Sequence, residues 1–449
     1  MDELIGFLIV YLQIQNLSDL YVLKFTPLVV LVLLAAKYYS KKTKTTTINF
    51  LYQNKVISFL LIIMIIGSIR YNDPEITAEY ILFRDVVFIL FIAIFIKVAL
   101  IKMMDGKKTA VDMVYSYILM PFALLAALNI VCWALGVKLK SGPIQGGLGD
   151  SVLLSYLGIH LPRVSFPLTE GYNNYSSLIG ALFTLSLTNI IFLKYKRTMN
   201  FLMCCVFVLT LFMVDSRAGA LYPFMVIAFV FFIKNFKSIS KLKLSFLFPV
   251  VGPVVLTLLL PFLGQYDAFS FLSRSSDDLK TGNSRFLIWS ISFLEFSNFK
   301  PIHLIGFGEF GHLGSGASKI WASIFNSWED SSNKSPHNTM LVILFDYGYL
   351  GLIFYLTMLR TFITDTIKMW KLRRPERFLY LAYFIFVLLQ GVTESTFGFY
   401  FMDYVFIFYA IFIIQIIDFK KYNAALNDIS AEQPTEQLAQ ITGGNLLIS

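Results

Sequence analysis

His337 is the side chain whose surroundings point most directly to chemistry. It follows Ser335 and Pro336 where a long polar stretch meets an apolar run, and Ser before Pro is typical of a helix start. The pattern predicts His337 in the first helical turn, where the positive end of the helix dipole disfavours imidazolium. His337 would then stay neutral and able to accept a proton. A histidine that only hydrogen-bonds at an interface fits the same position, so both interpretations remain open.

Three arginines could bind an anion. Arg217 opens a predicted helix after a tight turn, and Arg285 precedes the amphipathic run 286–296. Helix N-termini bind phosphate through free N–H groups, and arginine adds bidentate contacts. Arg163, in a shorter loop, is the third candidate. Each arginine could instead extend along an apolar surface with its charge in water, but three of them in neighbouring regions favour a shared anionic ligand.

Two carboxylates and a glycine-rich stretch complete the set. Asp346 lies well inside a predicted helix, where a charge is costly unless partnered, so we expect a structural hydrogen bond to Tyr or Asn. Glu394 is either an interfacial carboxylate or an acid facing the site, and the sequence leaves this open. The glycines between residues 306 and 316 predict a flexible external stretch, with His303 and His312 at its surface.

The chain that carries these residues must be solvated mostly by lipid. Of its 449 residues, 57% are hydrophobic and 14% are charged, and the mean hydropathy is +0.69. Soluble domains are about 45–50% apolar and about 25% charged. The net charge of +9 is explained by Lys and Arg in cytoplasmic loops, not by nucleic-acid binding. The three cysteines fall in apolar runs and fit neither a disulfide framework nor a metal site.

Hydropathy predicts an all-α polytopic membrane protein of about 12 transmembrane helices, since each crossing takes roughly 20 apolar residues. The predicted spans lie near residues 4–16, 22–39, 55–69, 80–101, 112–136, 172–193, 199–214, 218–234, 244–264, 339–359, 378–393 and 400–418. Connections rich in Lys and Arg alternate with connections that lack them. By the positive-inside rule this alternation predicts that both termini are cytoplasmic.

The connections divide the chain into four regions. Residues 1–264 hold helices one to nine with a smaller external loop at 137–171, and residues 265–338 form a large external loop. Residues 339–422 hold the last helices, and residues 423–449 form a flexible cytoplasmic tail. A loop of such length is uncommon unless it is functional or disordered. Its aromatic residues predict that it packs on something.

Several motifs resemble those of bacterial O-antigen ligases and the related O-antigen polymerases. His337-Asn338, followed after nine residues by Gly348-x-x-Gly351, resembles the signature at the end of the large periplasmic loop of the ligases. Further segments resemble the family in the expected order, namely Asn173-Asn174-Tyr175, Ser216-Arg217-Ala218-Gly219 and Arg285-x-x-x-Trp289. The resemblance extends over residues 160 to 400.

The resemblance implies a GT-C-like glycosyltransferase at the outer face of the inner membrane. Its donor would be an oligosaccharide on undecaprenyl pyrophosphate. A hydroxyl of the acceptor sugar attacks the anomeric carbon, and the lipid pyrophosphate leaves. His337 would remove the hydroxyl proton, with contact to the leaving group as an alternative role, while Arg217 and Arg285 would neutralise the charge that develops. These three are the predicted catalytic residues.

The resemblance also extends to substrate binding and partners. Arg163, Asn338 and Glu394 are the predicted substrate-binding residues, and no metal ion, cofactor or nucleotide sugar is expected. The expected partners are the lipid-linked oligosaccharide, the bilayer and a chain-length regulator protein, with no nucleic acid.

Three functions remain to be separated. The His motif favours a ligase, which transfers the glycan to lipid A-core. The composition, rich in Phe, Ile, Lys and Asn, favours a polymerase, which transfers it to another lipid-linked repeat unit, and polymerase is the preferred prediction. A polysaccharide or lipid transporter would show paired repeats and charges lining a path, and neither is evident in the sequence.

Overall fold

The computed structural model describes residues 26–41, 46–72, 77–104, 107–137, 151–155, 158–169, 172–236, 285–324, 335–397 and 404–432. These residues fold almost entirely into helices, which we number in chain order. They are α1 Thr26–Tyr39, α2 Thr47–Gln53, α3 Lys55–Ile69, α4 Ala78–Ala99, α5 Ala110–Ala134, α6 Val152–Ser155, α7 Tyr172–Thr188, α8 Arg197–Val214, α9 Arg217–Ile233, α10 Arg285–Ser297, α11 Gly311–Gly314, α12 Ala317–Ile324, α13 Thr339–Lys371, α14 Arg377–Thr393 and α15 Tyr404–Glu432.

Long apolar helices confirm a multi-pass membrane protein. Within the described ranges, five helices are long and apolar enough to cross a membrane, or six if α2 and α3, bent by 97°, form one span. Helices α1, α9, α10 and α14 are apolar but shorter. The predicted spans 4–16 and 244–264 lie outside the described residues, so the full set of spans remains a prediction. Helix α15 continues to Glu432, into the segment predicted to be a tail.

A tight bundle around α7 carries the candidate site. Helix α7 packs against α8, α9 and α14. A side chain at Gly180 would overlap with the ring of Phe386 on α14 and with the backbone of α9 at Gly219. Close approach of helix backbones at small residues is how transmembrane helices associate without a hydrophobic driving force. Helices α9 and α14 therefore both lie against α7, at Gly219 and Phe386.

Helix α13 is broken at Gly348, and residues 306–311 of the predicted large loop pack into the break. Gly348 has a φ of 65° and a ψ of −165°, so the carbonyls one turn earlier lose their helical donors. Loop N–H groups replace these donors: Phe307 N donates to Phe345 O at 2.7 Å, and Gly308 N donates to Asp346 O at 3.1 Å. The prediction that this loop packs on the rest of the protein is confirmed.

The glycine-rich stretch is tightly packed, so the prediction of a flexible stretch is wrong. A Cβ at Gly308 would overlap with the carbonyl of Arg70, and one at Gly311 would overlap with the carbonyl of Phe345. The glycines allow two backbones to touch, which the sequence alone does not distinguish from flexibility. His303 and His312 were predicted at the surface, but both are buried in this packing.

The loop also provides a hydrogen-bond partner for Asp346. Asp346 is fully buried, and its Oδ1 accepts a hydrogen bond at 2.9 Å from the backbone N–H of Gly311. The predicted role, a structural hydrogen bond, is confirmed. The loop supplies the donor of this hydrogen bond from its backbone, and a Tyr or Asn partner stays a prediction.

A buried ion pair joins the loop to α4. The guanidinium of Arg84 donates to both carboxylate oxygens of Glu309, and 4% and 0% of the two side chains are exposed. The backbone of Glu309 is held as well, since its N–H donates to Gly67 O at 2.9 Å and its carbonyl accepts from Asn72 N at 3.0 Å. Both ions are thus fully enclosed by protein.

Removal of Glu309 is expected to destabilise the protein strongly. Glu309→Ala leaves the Arg84 charge buried without its main partner, which costs about 3–5 kcal/mol of unfolding free energy. Glu79→Ala removes an exposed carboxylate from α4, the helix that carries Arg84. It should change the unfolding free energy by less than about 0.5 kcal/mol. Unfolding of both purified variants in detergent measures the difference. Equal stabilities would contradict the assignment of Arg84 and Glu309 as a buried pair.

Candidate active site

Glu394 joins two of the predicted catalytic residues. Its Oε2 lies 2.9 Å from His337 Nδ1, and its Oε1 accepts a hydrogen bond at 2.7 Å from Arg285 Nη2. The three residues come from separate elements, because Arg285 begins α10, His337 precedes α13 and Glu394 follows the last residue of α14. We call these three residues the Glu394 cluster. The structure thus brings together residues far apart in sequence at one end of the bundle.

Asn338 places His337 at the start of α13. The Asn338 side-chain oxygen accepts from the N–H groups of Met340 and Leu341 at 3.0 and 3.2 Å, which is the geometry of an N-cap. Its Nδ2 donates to Val392 O at 3.2 Å and so ties α13 to α14. The predicted substrate-binding role of Asn338 stays a prediction, but the side chain already has these structural contacts.

His337 lies one residue before the cap, so its predicted place in the first helical turn is wrong. Asn caps a helix as well as Ser does, and Asn338 also reaches α14, which Ser335 does not. His337 has a φ of 47°, in the left-handed region. Its N–H donates to Ser335 Oγ at 3.3 Å, which helps to hold this turn. Left-handed non-glycine residues held by their surroundings are found often at functional sites.

The charge state of Glu394 determines what His337 can do. Burial by itself raises the pKa of Glu394, but His337 and Arg285 favour the carboxylate and bring this pKa below its ordinary value. A carboxylate only accepts hydrogen bonds, so the proton of a neutral His337 lies on Nδ1. Nε2 then keeps its lone pair, and the half-buried ring remains accessible. This is the arrangement in which a carboxylate orients a histidine base.

Further polar groups surround the cluster. Arg163 Nε donates to Val214 O at the end of α8 at 2.7 Å, and the charge of Arg163 also acts on Glu394. Tyr222 on α9 hydrogen-bonds Thr393 and lies within electrostatic range of Arg285 and Glu394. Sequence reasoning missed Tyr222, because a tyrosine inside an apolar helix has no local pattern that separates it from a packing residue.

Arg217 begins the helix that carries Tyr222. Ser216 caps this helix by accepting from Gly219 N at 3.2 Å, and Arg217 is half-buried in its first turn. Tyr222 lies about one and a half turns further along the helix. The predicted catalytic role of Arg217 remains a prediction, which its position at a helix N-terminus supports. The side chains of Asn173 and Asn174 lie outside the described residues.

His312 lies in the loop core beside this site. Its ring stacks on Trp321 with centroids 6.1 Å apart and planes 19° apart. Burial lowers the pKa of His312 to about 4, and nearby His337 adds to the effect. His312 is therefore neutral in the folded protein at neutral pH.

His312 is expected to make the protein less stable in acid. The unfolded chain has a histidine pKa of about 6.5, so unfolding takes up a proton and stability falls between about pH 6.5 and about pH 4. His312→Phe keeps a ring against Trp321 and should flatten this part of the stability profile. Thermal unfolding midpoints of both proteins across this range provide the measurement. A difference between them that is independent of pH would contradict the assignment.

The arrangement as a whole belongs to one class of protein. It combines a multi-pass helical membrane protein with a charged cluster at one end of the bundle, to which the packed loop contributes Arg285. Residues 175–356 match the family model described as O-antigen ligase. This match confirms the resemblance to the O-antigen ligase and polymerase superfamily over residues 175–356.

The matched range has consequences for the site. It includes Arg217, Arg285 and His337, whereas Arg163 and Glu394 lie outside it. Members of the family are glycosyltransferase-like enzymes. No curated protein and no solved structure matches the chain.

Proposed function

We propose that this protein is a surface-polysaccharide polymerase of the O-antigen type. It transfers a glycan from undecaprenyl pyrophosphate to a lipid-linked repeat unit at the outer face of the inner membrane. The observation that carries the glycosyl-transfer part of this proposal is the Glu394 cluster, where one carboxylate holds both a histidine with a free Nε2 and an arginine. The choice of a polymerase rests on the composition rich in Phe, Ile, Lys and Asn. A base and an anion-binding cation held a few ångströms apart suit displacement of a phosphate leaving group.

The proposed reaction is one displacement at the anomeric carbon. A hydroxyl oxygen of the acceptor sugar forms the new C–O bond while the bond from that carbon to the pyrophosphate oxygen breaks. The hydroxyl proton passes to His337 Nε2, and Glu394 then stabilises the imidazolium through Nδ1. Undecaprenyl pyrophosphate leaves with the bonding electron pair. The reaction needs no other reactant.

Arginines supply the charge that the leaving group requires. Arg285 uses one nitrogen for Glu394 and retains further N–H donors for phosphate oxygens. Glu394 keeps the guanidinium in a fixed position, which lowers the cost of ordering it when substrate binds. Arg163 and Arg217 add positive charge on the same side of the bundle, and Arg163 is oriented by its hydrogen bond to Val214.

An O-antigen ligase is the second candidate, supported by the description of the matching family model. The site chemistry would be the same, and only the acceptor would change to lipid A-core. A transporter is the candidate from another class. A transporter is expected to have charged residues along a path through its helices. Arg84 and Glu309 do not form such a path, because they pair with each other and join α4 to the loop.

Deletion of the gene separates the two enzyme candidates, with lipopolysaccharide analysed on a gel. Loss of a polymerase leaves lipid A-core that carries a single repeat unit, which is the result expected here. Loss of a ligase leaves bare core while lipid-linked polymer accumulates. A chain-length distribution that shifts without loss of polymer would instead indicate a regulatory role, such as that of the expected chain-length regulator protein, and would contradict both.

A further inference from the structure

The large external loop exposes a group of big apolar side chains. Five of them lie between residues 293 and 305, from the second half of α10 to the residue after the 3-10 turn Pro301–Leu304. Their exposed fractions range from 46% to 65%: Phe293, Leu294, Phe299, Leu304 and Ile305. We call these five residues the loop patch. Water-exposed protein surfaces seldom gather so many large apolar groups, and such patches mark contact with a protein or a membrane.

The loop patch is separate from the packed face of the loop. Helix α10 buries Ile288 and Ile291 in a small core with Trp321 and Phe345. Phe293 and Leu294 project from another side of the same helix and are 63% and 65% exposed. The helix is therefore apolar on two sides, and only one of them is used for folding.

The patch is continuous with the lipid-facing side of α13. The Phe299 ring stacks on Tyr349 with centroids 6.4 Å apart, immediately after the break at Gly348. One turn further along α13, Ile353 is 56% exposed. Helix α13 is long and apolar enough to cross a membrane, so its exposed apolar side faces acyl chains. Phe299 extends this side onto the loop.

The exposed apolar side of α13 ends at a charged residue. Arg360 is exposed roughly 18 Å along the helix after Gly348, at about 1.5 Å per residue. Ile353 and Leu356 lie before it on the exposed side, with exposed fractions of 56% and 45%. Phe299 therefore adjoins the start of an apolar surface that faces acyl chains.

The polar groups near the patch have partners within the protein. Backbone groups in contact with hydrocarbon need such partners. The N–H groups of Phe307 and Gly308 have them in the carbonyls of the broken helix. Lys300 is half-exposed next to the patch, and its Nζ donates to Glu295 Oε1 at 2.6 Å while its stem can cover apolar surface.

We propose that the loop patch is a membrane-binding surface that inserts into the acyl chains of the outer leaflet. Helix α10 begins at Arg285, and its Trp289 Nε1 donates to Pro336 O at 2.9 Å, next to His337. Insertion of the patch therefore fixes the height of Arg285 and His337 above the lipid. The binding itself is independent of any reaction that the protein carries out.

Fluorescence quenching by brominated lipid tests the proposal. Single cysteines at Phe299 and Leu304, in full-length protein whose three native cysteines are replaced by alanine, are labelled with bimane and reconstituted in liposomes. Ile353→Cys on the lipid-facing side of α13 and Ser165→Cys, exposed on the shorter external loop, are the controls. Gel filtration in detergent verifies that each variant is folded before reconstitution.

The expected result is a loss of bimane fluorescence at Phe299 and Leu304 as large as the loss at Ile353. Ser165 should lose no fluorescence. Losses at both patch positions no larger than at Ser165 would overturn the proposal. Protection of the patch from a water-soluble quencher only after another protein is added would also overturn it, and would indicate a protein-docking surface instead.

Discussion

His337→Asn is expected to reduce glycan transfer by about 10²–10⁴-fold, the contribution typical of a general base. Asn tolerates the left-handed conformation that His337 adopts with its φ of 47°. The helix start should also survive, because Asn338 provides the cap. The amide of Asn cannot accept the hydroxyl proton, so the loss should appear in the rate of the chemical step. Single-turnover transfer by purified protein measures it.

His160→Asn is the matched control, since His160 is exposed on the shorter external loop. This variant should retain the wild-type rate and the wild-type length of surface glycan. Cells that carry His337→Asn should lose long-chain glycan while the protein remains in the membrane. Surface glycan of wild-type length in those cells would contradict a role of His337 in the site.

Arg285→Ala is expected to reduce transfer by about 10²–10³-fold, the cost of removing one donor that stabilises developing charge. The reduction should lie mainly in kcat, because charge on the pyrophosphate oxygen grows as its bond to the sugar breaks. The substitution also releases Oε1 of Glu394 from the hydrogen bond at 2.7 Å. Transfer rates at saturating donor concentration provide the measurement.

Arg285→Lys separates charge from geometry. Lysine keeps the positive charge but lacks the planar fork that holds carboxylate and phosphate at once, so its rate should fall between those of Ala and Arg. Arg360→Ala, which removes an exposed arginine from α13, is the control and should have no effect. A rate for Arg285→Ala equal to that of this control would exclude Arg285 from leaving-group stabilisation.

Local patterns were sufficient to predict a helical membrane protein and to mark residues that the structure brings together. Hydropathy predicted a helical membrane protein, since a crossing helix needs a long apolar run wherever it lies. The H-N-x9-G-x-x-G pattern marked both His337 and Gly348, and the structure places one at the start of α13 and the other at its break. These features depend on neighbours in sequence.

Contacts between distant segments could not be predicted in the same way. Arg84 and Glu309 are 225 positions apart, and neither has a local pattern that names the other. The glycines near Gly308 were interpreted as flexible because composition does not show that a second backbone lies against them. The choice of Asn338 over Ser335 as the cap depended on α14, which lies nearby only in the folded chain.

Reconstituted transfer tests the central claim most directly. Purified full-length protein in liposomes is given a glycan on undecaprenyl pyrophosphate as donor and a lipid-linked repeat unit as acceptor. We expect a lengthened lipid-linked glycan and one released undecaprenyl pyrophosphate for each transfer with the wild type, and neither product with His337→Asn. Equal product from both proteins, or glycan transfer without release of undecaprenyl pyrophosphate, would contradict the claim.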